Sequence, residues 1–271
     1  MWYEENGIRK SVNLPDFDDS EQSDAKYETP NAPDYIQDAS EDEIDSRERE
    51  QIEQIKHNIS RAVINRLPRY YRYLRELLTK GRTRISSGEL ADMMNVTASQ
   101  IRQDLNCFGG FGQQGYGYNV NFLYTRISEI LGVGAGFCAI IIGAGDLGRA
   151  LVHLSMFEKR GVDIVGMFDT GEGMAGREVA GVKIYSLDTL EDFISENKVD
   201  IAVLTPPKEK VKSIADRLVS CGVKGLWNFM GVELNYDKNT TVVENVHLGD
   251  SLMILNYEIS SAGQKKFEEE I

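Results

Sequence analysis

The chain has 271 residues, 41% of them hydrophobic, and a formal net charge of −13, which is consistent with a globular protein of about two domains. Its cysteines, Cys107, Cys138 and Cys221, are too few and too scattered for a disulfide framework or a zinc cluster. No apolar run approaches the roughly 18 residues of a membrane span, and an acidic N-terminus does not suit a signal peptide. We therefore expect a soluble cytoplasmic protein with no metal site and no membrane partner.

The negative charge is concentrated at the N-terminus. Residues 1–53 hold 17 acidic and 5 basic residues, whereas residues 54–118 hold 4 acidic and 10 basic residues. The first segment also contains Pro15, Pro30 and Pro33 and few large aliphatic residues, so it cannot bury enough surface to offset the entropy of ordering. We predict a disordered acidic tail over residues 1–53. A solvated tail is the simpler interpretation, and an arm that competes with DNA phosphate for the basic segment is the alternative.

Residues 54–120 have the pattern of a winged helix-turn-helix domain. Residues 59–64 indicate a short helix, and Pro68 suits the first turn of a longer helix that Gly81 ends. Two capping boxes follow, Ser86-x-x-Glu89 and Thr97-x-x-Gln100, and each opens a short amphipathic helix. The glycine-rich, aromatic residues 109–118 predict a β-hairpin wing, or alternatively a hinge between domains. Residues 121–136 predict a linking helix and hinge.

The second helix of such a unit places its polar residues in a major groove. A helical hairpin with a basic face also occurs in interaction modules, but the net charge of +6 over residues 54–118 favours DNA. The candidate DNA contacts are Arg69, Ser99, Gln100, Arg102, Gln103, Gln113 and Gln114.

Residues 137–262 begin with an apolar strand that ends in Gly143-x-Gly145-x-x-Gly148. In this motif the first glycine permits a tight turn, the second lets the backbone approach a pyrophosphate, and the third lets the next helix pack closely. A second predicted strand ends at Asp169, 21 residues after Gly148, which is the spacing of a carboxylate that binds a ribose hydroxyl. We therefore predict a dinucleotide site. The alternative is a tight turn without a ligand.

The rest of this segment alternates strands, near 182–185, 201–204 and 225–229, with helices, near 187–196 and 208–221. This alternation predicts an α/β fold of the Rossmann type, a doubly wound parallel sheet with its ligand at the carboxyl ends of the strands. Thr205 and Asn228 lie at two such ends. The candidate cofactor-binding residues are Gly143, Ala144, Gly145, Asp146, Leu147, Gly148, Asp169, Thr205 and Asn228.

A final apolar helix, through Leu252, Leu255 and Ile259, is either core or a dimer contact, and residues 263–271 are predicted to be a tail.

Together these segments resemble the Rex family of NAD(H)-responsive redox-sensing transcriptional repressors. The resemblance rests on residues 67–74, 96–102, 117–120, 143–150 and 168–169, and on Val-Glu-Asn-Val at 243–246. It implies a homodimer whose winged helices bind a palindromic operator and whose Rossmann domains bind NAD+ or NADH. It further implies that the C-terminal helix is exchanged between subunits and that NADH releases the DNA.

The sequence departs from the family pattern at several positions. Position 103 is Gln where the family commonly has Lys, and Gln113-Gln114 replaces a basic pair in the wing. His247 stands where the family has an Asp that would pair with Arg75, and Leu154 stands where members can carry a Tyr. The candidate switch and interface residues are Arg75, His247 and Leu248.

Two other functions fit part of the pattern. An NAD-dependent oxidoreductase with an accessory helical module needs a proton donor, yet His153 and His247 lie in no catalytic motif, and we assign no catalytic residue. A dinucleotide-binding scaffold that has lost specific DNA binding is the other alternative, and it is motivated by Gln103, Gln113 and Gln114.

Overall fold

The structure is a computed structural model. It describes the backbone of residues 2–5, 8–11, 59–106, 112–113 and 117–269, and the side chains of residues 59–106 and 117–261. The chain divides into two compact units, Met1–Gln51 and Ile52–Ile271.

In the first unit the structure describes two antiparallel strands, β1 (Trp2–Glu5) and β2 (Ile8–Ser11). Glu5 pairs with Ile8, and the two residues between them in the sequence are Asn6-Gly7, a pair that favours tight hairpin turns. This pair of strands differs from the disorder predicted for residues 1–53. The remainder of the predicted tail lies outside the described residues.

The second unit begins with a winged helix-turn-helix domain. Its elements are α1 (Arg61–Thr79), β3 (Arg84–Ile85), α2 (Ser87–Met94), α3 (Ala98–Asn106), β4 (Gly112–Gln113), β5 (Gly117–Asn119) and α4 (Val120–Ile130). The strands form an antiparallel sheet in the order β3-β5-β4. Pairing of β4 with β5 confirms the predicted hairpin wing.

Helix α1 is one continuous helix rather than a short helix followed by a longer one. Ser60 caps its N-terminus by accepting a hydrogen bond from the Val63 N–H, and Pro68 lies inside the helix. The prediction was wrong here because an internal proline removes a single backbone hydrogen bond, and the burial of Val63 and Leu67 on one face offsets that loss. Gly81, at φ +70°, ends the helix as predicted.

Helix α4 is more than a linker between domains. Val120, Leu123 and Ile127 are buried in the same core as α1, and the rings of Tyr71 and Tyr124 stack with their centroids 4.9 Å apart. The helix therefore closes the core of the winged-helix domain before the glycine-rich turn at 132–136.

The Rossmann domain contains a seven-stranded sheet in the order β12-β11-β10-β6-β7-β9-β8. Its strands are β6 (Phe137–Ile142), β7 (Val162–Asp169), β8 (Glu178–Val179), β9 (Val182–Ser186), β10 (Ile201–Leu204), β11 (Gly225–Asn228) and β12 (Val242–Asn245). Its helices are α5 (Asp146–Val152), α6 (Leu190–Glu196), α7 (Val211–Ser220) and α8 (Leu248–Glu269). All neighbouring strands are parallel except β8 and β9.

The order of the sheet reverses at β6, which has β7 on one side and β10 on the other. Ile142, at the end of β6, pairs with both Leu204 and Phe168, so the carboxyl ends of these three strands are level. Helices α6 and α7 cover one face of the sheet, and α5 lies on the other. This switch point is where doubly wound folds bind ligands.

Helix α5 stops at Val152, so Leu154 lies beyond it and is 49% exposed. The end of helix α8 differs from the prediction. Helix α8 continues to Glu269, well into the segment predicted as a tail. None of the helices among the described residues is both long enough and apolar enough to cross a membrane.

Candidate nucleotide site and DNA-binding helix

The glycine turn after β6 packs closely against the backbone at Thr205. Gly143 has φ +100°, and a Cβ there would lie 2.6 Å from the Thr205 carbonyl oxygen. A Cβ on Gly148 would lie 1.9 Å from the Gly143 carbonyl oxygen, whereas one on Gly145 would meet nothing within 4 Å. The first and third glycines are therefore required by the protein, and the second leaves open space for a ligand at the N-terminus of α5.

Asp169 lies beside this turn, as the spacing predicted. One oxygen of its carboxylate accepts a hydrogen bond from the Ala144 N–H and the other from the Gly171 N–H, each at 2.7 Å. These two amides fix the carboxylate at the end of β7. The position suits a carboxylate that accepts from a ribose hydroxyl.

A cavity of about 280 Å3 opens between the glycine turn and the ends of β7 and β10. Thr205 lines it, and its hydroxyl lies within hydrogen-bonding distance of the carbonyl oxygens of Ile142 and Gly143, at 2.9 and 3.0 Å. Other lining residues include Gly143, Gly145, Phe168, Asp169, Thr170, Leu187, Pro206, Pro207 and Lys210. The pocket therefore combines an apolar wall with polar groups at one edge.

The remaining motif residues have different positions. Ala144 is buried, and Leu147 packs partly buried against the core beneath α5. Asp146 is the first residue of α5, and its exposed carboxylate accepts from Arg149 at 2.8 Å. Backbone groups rather than side chains thus face the opening of the turn.

Asn228 is not brought to this cavity. It is 1% exposed, and its side-chain amide donates to the Val232 carbonyl at 2.6 Å and to Asn245 Oδ1 at 2.8 Å. Its own Oδ1 accepts from the Met230 N–H at 3.1 Å. The side chain holds the loop after β11 to β12, so its hydrogen-bonding capacity is used within the protein.

Of the two predicted capping boxes, the one that opens α2 is complete, and the one that opens α3 is formed only by its first residue. Ser86 and Glu89 form the complete capping box, which lowers the pKa of Glu89 to about 2 because the Ser86 N–H, the Arg82 guanidinium and the Ser86 hydroxyl all donate to its carboxylate. Thr97 caps α3 by accepting from the Gln100 N–H at 3.1 Å. The Gln100 side chain does not complete a second box.

Gln100 instead belongs to a polar cluster around Asp104, which is fully buried on the inner side of α3. Asp104 accepts two hydrogen bonds from Arg66 and one from Gln100, all at 2.7 Å, and one from Tyr70 at 2.9 Å. Burial by itself would raise the pKa of Asp104, but these hydrogen bonds together lower it below its ordinary value. This cluster ties α3 to α1.

The sequence interpretation missed this cluster. Asp104 lies between Ile101 and Leu105 on a face that must be buried, and a carboxylate at such a position requires a partner. That signal was available from the pattern of α3 alone, but the identity of the partner, Arg66, was not.

The predicted DNA contacts therefore fall into an exposed group and a group that is half-buried or engaged within the protein. Ser99, Arg102 and Gln103 are exposed on α3, and Arg102 donates to the Ser87 hydroxyl at 3.2 Å. Arg69 is half-buried and donates to the Met94 carbonyl at the end of α2. For Gln113 the structure describes only the backbone, in β4, and Gln114 lies outside the described residues.

The candidate switch residues lie in two places. Arg75 is exposed and lines a cleft of about 440 Å3 between α1 and the sheet, and the described side chains include no ion-pair partner for it. His247 Nε2 lies 2.7 Å from Glu233 Oε1. Glu233 was not among the residues predicted from the sequence. Leu248 opens α8 and is 62% exposed.

Comparison with known proteins matches both domains. A family model described as "Putative DNA-binding protein N-terminus" matches residues 58–106, and one described as "CoA binding domain" matches residues 137–232. The redox-sensing transcriptional repressor Rex of Thermoanaerobacter pseudethanolicus is 50% identical over 205 residues, which are 76% of this chain and 91% of that protein.

Solved structures match over a similar length. The crystal structure of RSP in complex with β-NAD+ and operator DNA is 48% identical, with a TM-score of 0.71, over 78% of this chain and 97% of that one. RSP in complex with β-NADH is 45% identical, also with a TM-score of 0.71, over 77% of this chain and 98% of that one. With such identity across nearly the whole length of these relatives, the chain belongs to the Rex family of redox-sensing transcriptional repressors.

Proposed function

We propose that this chain is a redox-sensing repressor that binds a palindromic operator as a homodimer in the cytoplasm and leaves the DNA when NADH occupies its Rossmann domain. In physical terms, NADH binds more tightly to the arrangement of the dimer that has low affinity for DNA. A ligand with equal affinity for both arrangements would shift nothing.

One observation carries the proposal. A single chain joins two parts: a helix-turn-helix unit with exposed polar residues on its second helix, and a glycine turn with Asp169 fixed beside it. Relatives that are about 50% identical match the chain across both parts. The structure of RSP with both β-NAD+ and operator DNA supports the same pairing of ligands here.

The enzyme alternative has less support. The relatives that are about 50% identical to this chain are named as transcriptional repressors. His153, one of the two histidines considered as proton donors, is exposed at the end of α5 and does not line the cavity. His247 is engaged with Glu233 at the start of α8.

The proposal is tested by titrating a fluorescent operator with the protein and then adding NADH, NAD+ or coenzyme A in separate experiments. The operator is first chosen by selection from a library of palindromic sequences. We expect NADH to lower DNA affinity much more than NAD+ does. DNA affinity that is the same at every NADH/NAD+ ratio would contradict the sensor function, and release by coenzyme A alone would replace the proposed ligand.

The DNA contact itself is tested at Arg102, the exposed cation on α3. Arg102→Ala should weaken operator binding and reduce the salt dependence of the affinity by about one unit per subunit, because one cationic contact is lost from each recognition helix. NADH affinity should be unchanged. Lys159→Ala removes an exposed cation from the Rossmann domain and serves as the matched control. An unchanged salt dependence in Arg102→Ala would contradict the assignment.

A further inference from the structure

The outer face of the recognition helix α3 is set by the residues that the helix buries. Ile101, Asp104 and Leu105 are buried on its inner side. At about 100° of rotation per residue, the direction opposite these three is that of Ser99 and Gln103, which are four positions apart and both exposed. These two side chains therefore form the face of α3 that is turned away from the protein.

The polar neighbours of this face are held at its two sides. On the side of α1, the Gln100 amide donates to Asp104 Oδ1 at 2.7 Å. On the side of α2, Arg102 Nη1 donates to the Ser87 hydroxyl at 3.2 Å. Both contacts draw these side chains toward the protein, so Gln103 and the serine one turn before it occupy the centre of the outer face.

The two central residues differ in how well they can distinguish bases. In a helix-turn-helix unit, the N-terminal part of the second helix meets base edges in the major groove. A serine hydroxyl can donate or accept and therefore suits more than one base, whereas a glutamine carries a donor and an acceptor side by side. That pair matches adenine, whose N6 amino group donates and whose N7 accepts in the major groove. Asn106, another exposed amide, is the last residue of α3 and lies farther from its N-terminal part.

We propose that Gln103 determines the operator preference of this chain by reading one A·T base pair in each half of the palindrome. Its Nε2 donates to adenine N7, and its Oε1 accepts from the adenine N6 amino group. The inference rests on the proposed function and deepens it, because it states which kind of base pair the recognition helix selects. Arg102, by contrast, contributes a charge that attracts phosphate equally in every sequence.

The test measures the affinities of wild-type protein, Gln103→Ala and Gln100→Ala for a palindromic operator whose positions are changed symmetrically, one at a time, to each of the four bases. The parent operator is the one that wild-type protein selects from a library. Wild-type protein should prefer A·T at one position of the half-site by about tenfold or more, because a bidentate contact is made there. In Gln103→Ala that preference should fall below about threefold, while the preferences at the other positions remain.

Gln100→Ala is the matched control, because it removes the same kind of amide from the same helix but from the inner cluster around Asp104. It should weaken binding to every operator by a similar factor and leave the preference at each position as in the wild type. Gln103→Lys replaces the amide with a cation that suits guanine O6 and N7, so it should move the preference at that one position from A·T to G·C.

Three results separate this inference from the proposed function. Specific binding by the wild type with the same base preferences in Gln103→Ala would overturn this inference alone. A similar loss in Gln103→Ala for every base at every position would assign the residue to the phosphate backbone and would overturn it as well. Failure of the wild type to bind any selected operator at low salt would overturn the proposed function and this inference together.

Discussion

The three glycines of the turn after β6 serve different purposes. A side chain at Gly143 or Gly148 would collide with the backbone of the protein, whereas a side chain at Gly145 would meet open space. Gly145 also has φ −73°, which any residue adopts. Of the three, only Gly145 can therefore be substituted as a test of ligand contact without a clash inside the protein.

Gly145→Ala should therefore separate binding from stability. We expect its free energy of unfolding to change by less than about 1 kcal/mol, because the lost glycine at the helix cap is offset by a less flexible unfolded chain. NADH affinity should fall at least about tenfold, because the methyl group occupies the space through which a pyrophosphate approaches. Thermal unfolding and titration of NADH fluorescence measure the two effects.

Gly148→Ala is the comparison for that variant. Its methyl group would overlap the Gly143 carbonyl, so it should lose about 1 to 3 kcal/mol of stability as well as NADH binding. Wild-type NADH affinity in Gly145→Ala would show that no ligand passes close to this glycine.

At the scale of elements, the recognition helix α3 is held by the buried cluster of Asp104, Arg66, Tyr70 and Gln100. Because Arg66 is partly exposed, water can still solvate its charge, and loss of the charge-assisted hydrogen bonds to the buried Asp104 costs about 1 to 3 kcal/mol. Asp104→Asn should thus destabilise the winged-helix domain by about this amount at pH 7 and weaken operator binding. Asp92→Asn, an exposed position on α2, is the matched control and should be close to neutral.

The same cluster predicts an acid dependence of stability. The pKa of Asp104 is lower in the folded protein than in the unfolded chain, where it is about 3.9. Its contribution is therefore fully present above that unfolded value and is lost as the pH falls through the folded value. Urea unfolding below about pH 4 should show a smaller slope with pH for Asp104→Asn than for the wild type. Equal slopes would exclude Asp104 as a source of the acid sensitivity.

At the scale of the whole molecule, the described side chains of α8 leave an apolar surface that other described residues do not cover. Its large apolar residues are between 54% and 69% exposed, and Leu248, Leu252, Leu255 and Ile259 recur at the spacing of one helix face. An exposed apolar stripe of this kind marks a protein interface. It supports the expectation, drawn from the resemblance to the Rex family, that α8 is the dimer helix.

Placing charge on that stripe should dissociate the dimer. The double variant Leu252→Asp, Leu255→Asp should sediment as a monomer and lose most of its operator affinity, because a monomer can occupy only one half of a palindrome. Ser260→Asp adds a negative charge at an exposed position of the same helix, turned away from the stripe, and should remain dimeric. A double variant that stays dimeric would show that α8 is not the principal contact.

Local chemistry explains which features were predictable from the sequence. The capping box at Ser86, the turn of φ +100° at Gly143 and the strand that ends in Asp169 depend on residues close together along the chain, and each was confirmed. Helix α1 was divided wrongly because a proline signal is local, whereas the packing that overrides it is not.

The sequence by itself thus determined the family, the order of the two domains and the position of the nucleotide turn. Only the tertiary structure decided which side chains meet: it turns Gln100 toward Asp104, uses Asn228 to hold a loop, and places Lys210 in the cavity beside Thr170. These contacts join residues far apart in the chain or choose between two faces of one element. No local pattern encodes that choice, because it depends on how whole elements pack.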